Sequence, residues 1–164
     1  MSENIMNVRK GSASEKCNSS MQLTRGADYA VRVMVHLAKL PEEKRALLHE
    51  LADAAEVPES FLSKVLQSLA HAELISSRRG KTGGFAIMPR GRQASMREVI
   101  EAVDGPIAVN VCLNPSIGCE RRSWCPAHPV WGRAQRAMLD VLMGISVAEM
   151  AAKLPESANI HSRI

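Results

Sequence analysis

From Thr24 onward apolar residues recur at helical spacing, with Ala27, Ala30, Val31, Met34, Val35, Leu37 and Ala38 on one face. Thr24 has the side chain of an N-cap and Pro41 closes the segment, so a first helix is predicted between them. After a charged connector, Leu48, Leu51, Ala52 and Ala55 predict a short second helix. The turn Glu56-Val57-Pro58 leads into a third, with Leu62, Val65, Leu66 and Leu69 inward, and Ala72, Leu74 and Ile75 close the unit. The period then changes. In ISSRRGKTGGFAIM, two β-like runs flank Gly80, Gly83 and Gly84, which predicts a hairpin. Ser95-x-x-Glu98 and Ser146-x-x-Glu149 are capping boxes. The first opens a helix carrying Val99, Ile100, Ala102 and Val103, and the second opens a short terminal helix. Between them, Val130, Ala134, Ala137, Met138, Val141 and Leu142 form a stripe along a long helix from roughly Val130 to Met143.

These elements predict a mainly α protein: a winged helix-turn-helix with a β-hairpin wing, followed by a long helix with an apolar stripe. The expected organisation is a flexible leader over 1–20, a winged helix-turn-helix domain over 21–90, the cysteine loop and further helices over 91–154, and a disordered tail over 155–164. Met21 is an alternative start, and no internal repeat is visible.

At 164 residues the chain has room for one compact domain with an appendage. Apolar residues make up 46% but aromatics only 3%, so the core must be aliphatic. The same shortage argues against a platform that stacks single-stranded bases. A formal charge of +4 permits a polyanionic partner. No apolar run is long enough for a membrane helix, and the polar N-terminus lacks the apolar stretch of a signal peptide. A cytoplasmic location is therefore expected. Thiols stay reduced there, and clustered cysteines bind metal more often than they form disulfides. Cys17, in the polar leader, reads as an exposed thiol, and the sequon Asn18-Ser19-Ser20 is empty without secretion.

Two short helices, a tight turn and a basic hairpin form a DNA-reading unit. A helix fits the major groove and offers polar side chains to base edges. On the third helix Ser60, Ser63, Lys64 and Gln67 face away from the apolar side. The hairpin carries Arg78, Arg79 and Lys81, cations suited to a narrow minor groove and to phosphates. Gly80-Lys81-Thr82 is no phosphate-binding P-loop, since Ile75 stands where the first glycine belongs.

The stretch VCLNPSIGCERRSWCPAHPVW holds Cys112, Cys119, Cys125 and His128. Thiolates and an imidazole suit iron–sulfur, zinc or copper. Gaps of six and five residues between the thiols are wider than the tight knuckle of structural zinc sites. They suit a larger object, such as an iron–sulfur cluster. A Cys3His zinc site that serves folding, disulfide exchange among the three cysteines, and inert buried thiols stand as alternatives. An enzyme is not indicated: no glutamate is spaced as in the zinc deaminases, and no nucleophile–base pattern appears.

Taken together, MQLTRGADYAVR from Met21, PESFLSKVLQSL from Pro58, RRGKTGGF from Arg78 and EVIEAVDG from Glu98 resemble the Rrf-two (Rrf2) family of bacterial transcription regulators. The likeness covers about residues 21–154, with the cysteine loop in the expected place. It implies a homodimeric regulator of a palindromic double-stranded operator, with the long helix from Val130 and the 91–154 region supplying the cluster loop and dimerisation helices. Repression is the expected mode, sensing iron, redox state or nitric oxide through an iron–sulfur cluster. By position Ser60, Ser63, Lys64 and Arg79 fall where family members touch DNA. Ser63 departs from the glutamate of IscR-type members, and PESFLSK lies nearer to RirA-type ones. IscR-type members hold a 2Fe–2S cluster with three cysteines and a histidine three positions after the last, as in Cys125-Pro126-Ala127-His128. NsrR-type members hold a 4Fe–4S cluster with an aspartate given by the other subunit, a place taken here by Asp28. The 2Fe–2S form is favoured. Asp28 also suits the ordinary role of a first-turn acid that complements the helix dipole.

Overall fold

The computed structural model describes residues 23–80, 82–114, 116, 117 and 119–155. The leader with Cys17, the wing residue Lys81 and the tail beyond Pro155 lie outside the described residues.

Helix α1 (Arg25–Lys39) opens where the sequence places its cap, the Thr24 hydroxyl accepting from the Ala27 N–H at 3.1 Å. It runs through the centre of the fold, meeting α2 (Leu48–Ala55) and α3 (Glu59–His71) as well as α5 (Met96–Asp104) and α7 (Val147–Lys153). Helices on several sides bury an arc wider than one stripe. Val33 is therefore buried beside the expected Ala30, Met34 and Leu37, while Val31 and Ala38 are only half-buried. The aliphatic core unites Val33, Met34 and Leu37 with Leu51, Leu62, Leu66, Leu69, Leu74, Val99 and Val147. Each such side chain contributes about 1.5–3 kcal/mol by leaving water.

Strands β1 (Ile75–Arg78) and β2 (Gly84–Ile87) form the expected antiparallel hairpin, Ile75 opposite Ile87 and Arg78 opposite Gly84. Ala46 adds an isolated bridge to Phe85, with both backbone hydrogen bonds made, at 2.9 and 2.8 Å. Gly84 has φ +115°, and an added Cβ would stand 2.6 Å from the Ala46 carbonyl oxygen, so only glycine fits beside this bridge.

Two elements were not visible in the pattern. Helix α4 (Pro89–Gln93), only five residues long, is too short to show a period. Its Gly91 lies so close to the Leu74 carbonyl that any side chain would clash. A 3-10 turn (Val111–Leu113) carries the first cysteine of the loop. Helix α6 (His128–Met143) starts two residues before the predicted Val130, which makes His128 its first residue. None of the residues of α6 is buried, and Val130 and Val141 are 62% and 73% exposed. No described helix is long and apolar enough to cross a membrane.

Candidate functional site

The turn between α2 and α3 is tight. Glu56 takes a left-handed conformation with φ 56°, and the Val57 N–H returns to the Ala52 carbonyl at 2.9 Å. This drives Leu62, Val65, Leu66 and Leu69 into the core. The opposite side of α3 then leaves Ser60, Lys64 and Gln67 exposed and Ser63 half-buried. These four side chains thus lie on the side of α3 turned away from the core.

The wing stands directly after it. Arg78 and Arg79 are both exposed at its tip. Its strands are fastened by Arg45, whose guanidinium donates to the Gly84 carbonyl at 2.9 Å and to the Ser76 hydroxyl at 3.0 Å. Arg45 thus ties both strands to the connector before α2. Sequence reasoning missed it, because one arginine in a charged connector carries no periodic signal.

The cysteine loop is pinned at both ends. At its entrance the Ile107 N–H donates to Glu101 Oε1 at 3.2 Å and the Val109 N–H donates to Gln135 Oε1 at 3.0 Å. Glu101 is itself held by Arg97 at 3.0 Å. At its exit the His128 N–H donates to the Cys125 carbonyl at 3.2 Å, so both residues share one turn. The Cys125 N–H in turn reaches the Arg121 carbonyl at 2.8 Å. Cys112 and Cys125 are half-buried and Cys119 is exposed, all as free thiols.

His128 carries the clearest chemical signal. Its Nδ1 is shut off from solvent without a hydrogen-bond partner, the one such side-chain atom among the described residues. A buried polar atom left unpaired is costly and calls for an explanation. The donor set, three thiols and this ring nitrogen, fits an iron–sulfur group in kind. The loop does not gather them closely: among the described residues no three His, Cys, Asp or Glu side chains are placed to hold one metal ion. Asp28 is exposed in the first turn of α1 and paired with Arg32 at 2.8 Å. The other carboxylates of note, Glu98 and Glu149, are capping groups. Hydrogen bonds from the backbone and hydroxyl of Ser95 hold Glu98 below its usual range, and those of Ser146 do the same for Glu149.

Comparison with known proteins agrees with this layout. Residues 23–153 match the Rrf2 family, described as iron-dependent transcriptional regulators. The chain is 28% identical over 130 residues to the transcriptional regulator IscR of Aliivibrio salmonicida, covering 79% of this chain and 77% of that one. It is 27% identical over 131 residues to NsrR of Shouchella clausii, covering 79% and 88%. In fold it is similar to CymR, the global cysteine regulator of B. subtilis, with a TM-score of 0.65 at 23% identity over 82% of this chain and 98% of that one. With a helix-turn-helix, a wing and this match over most of its length, the chain belongs to the Rrf2 family of DNA-binding winged-helix transcriptional regulators, which are not enzymes.

Proposed function

We propose that this regulator binds a palindromic operator as a homodimer and senses iron, redox state or nitric oxide through an iron–sulfur cluster on Cys112, Cys119, Cys125 and His128, of the 2Fe–2S type. The observation that carries this is the buried, unpartnered Nδ1 of His128 at the end of a three-cysteine loop. Likeness to IscR and NsrR within an iron-dependent family supports it. If the cluster is instead 4Fe–4S, Asp28 of the other subunit is the alternative fourth ligand, and it must then leave Arg32.

In the proposed complex Ser60, Ser63, Lys64 and Gln67 meet the major groove, while Arg78, Arg79 and Lys81 meet the minor groove and phosphates. The apolar stripe of α6 packs against its counterpart and sets the distance between recognition helices. Half-sites must lie about one DNA turn apart, so small changes in that distance alter affinity.

When bound, such a cluster supplies a redox-active centre with one weaker, replaceable ligand, and histidine ligation raises its potential. The chain's own residues transmit its state. Gln135 ties the loop entrance to α6 and Glu101 ties it to α5, while Cys125 and His128 join its exit to the first turn of α6. A loop drawn onto its four ligands therefore holds α6 in one attitude relative to α5, and a released loop does not. Operator affinity of the cluster-loaded protein compared with a Cys112→Ala, Cys119→Ala double variant tests this. Different affinity or site preference is expected, and identical binding rules the coupling out.

A thiol-based regulator is the second reading, favoured by the exposed free thiol of Cys119. Disulfides among the three cysteines, reversed by reductant, would then set the DNA response. A zinc-stabilised Cys3His loop would leave the protein colourless and indifferent to oxygen.

A further inference from the structure

The described residues include nine exposed large apolar side chains, and one of them, Phe61, stands on the recognition helix at 43% exposure. The chain has only two phenylalanines, and the other, Phe85, packs against the core. Phe61 lies in the first turn of α3, its N–H bonded to the Pro58 carbonyl at 3.0 Å. The ring is braced edge-on by Tyr29 of α1, with centroids 5.5 Å apart and planes at 83°. Tyr29 is itself packed against the core, so the exposed ring is held rather than free to turn.

Phe61 also forms one wall of an open groove of about 270 Å³ where the start of α1 meets α3. Arg25 and Lys64 supply cations on this groove, and Ser68 a hydroxyl. Asp104, its one acidic lining residue, is occupied by the Thr24 hydroxyl at 2.6 Å. An apolar face flanked by free cations is complementary to a nucleic-acid edge, where methyl groups lie beside phosphates.

We propose that Phe61 is a specificity-determining residue that reads the 5-methyl group of a thymine in each half-site. The first turn of a recognition helix is the part that reaches base edges. Thymine offers the one apolar group in the major groove, for which a phenylalanine ring is a suitable partner. Phe61 thereby adds apolar readout to the polar readout of the serines, lysine and glutamine on the same helix.

The experiment rests on the operator-binding reading and separates the two. An operator is selected in vitro with the full-length protein, and each thymine is then replaced in turn by deoxyuridine, which removes only the methyl group. The wild-type protein is expected to lose roughly threefold to fivefold in affinity at one thymine per half-site. In Phe61→Ala and Phe61→Gln that loss should vanish at the same position and persist at any other sensitive thymine. A wild-type profile indifferent to every methyl overturns the proposal, as does a profile unchanged in both variants. Failure to select any duplex sinks the operator reading itself, and the proposal with it.

Discussion

Ser95 and Ser146 pair across an antiparallel bridge, and each is the N-cap of its own helix. Backbone hydrogen bonds from Met96 to Ile145 at 3.0 Å and from Val147 to Ala94 at 2.9 Å flank them. The chain between them begins with α5, whose Val99 and Ile100 stay buried in the core, and runs through the cysteine loop and α6 before it returns to the point of departure. Its base is clamped while α6 carries no buried residue.

The clamp should be acid-sensitive. Glu98 and Glu149 are held below their usual carboxyl range by the hydrogen bonds of Ser95 and Ser146. Groups with lowered folded-state values stabilise the fold above the unfolded value, near 4.5, and lose that contribution as pH falls below it. Glu98→Gln should therefore lower the urea midpoint at pH 7, with the gap from wild type closing on acidification. A gap that stays constant or widens contradicts the assignment. Ser95→Ala should cost about 1 kcal/mol at neutral pH.

Arg45 should matter for DNA without touching it. Arg45→Ala removes both ties to the wing and should cost on the order of 1 kcal/mol of stability. Operator affinity should fall through loss of wing order, detectable by anisotropy titration on folded protein. Unchanged affinity would mean that the wing is held by its strand pairing alone.

Arg79→Ala should weaken operator binding about tenfold while leaving the oligomeric state intact. Binding by the unaltered protein should itself weaken steeply with salt, because phosphate contacts release counterions. Normal binding by the variant would remove Arg79 from the interface.

Val141 is 73% exposed on a helix with no buried residue, on the face that the proposed dimer would cover. Val141→Glu should shift the protein to monomer in sedimentation experiments with little change in monomer stability. An unchanged dimer would place the interface elsewhere.

The winged helix was legible because its signals are local. The cap at Thr24, the inward set Leu62, Val65, Leu66 and Leu69, and the glycine-rich turn of the hairpin each follow from the period of a few adjacent residues. Long-range ties were not legible. Arg45 to the wing, Gln135 to Val109 and Glu101 to Ile107 each join a polar side chain to a backbone group distant in sequence or lying in irregular backbone, where no periodicity marks them. The start of α6 was misplaced by two residues because His128 and Pro129 look like loop residues, although proline is at home in a first helical turn. The four candidate ligands were named from residue type and spacing alone, and the unpartnered state of His128 Nδ1 only emerges with the fold around it.

The most direct measurement is an absorption spectrum of protein purified without oxygen, taken with iron and sulfide content. The account predicts a coloured protein with visible bands, matched iron and sulfide, and two irons per chain, lost on Cys112→Ala substitution. A colourless protein containing zinc, or no metal, would contradict it.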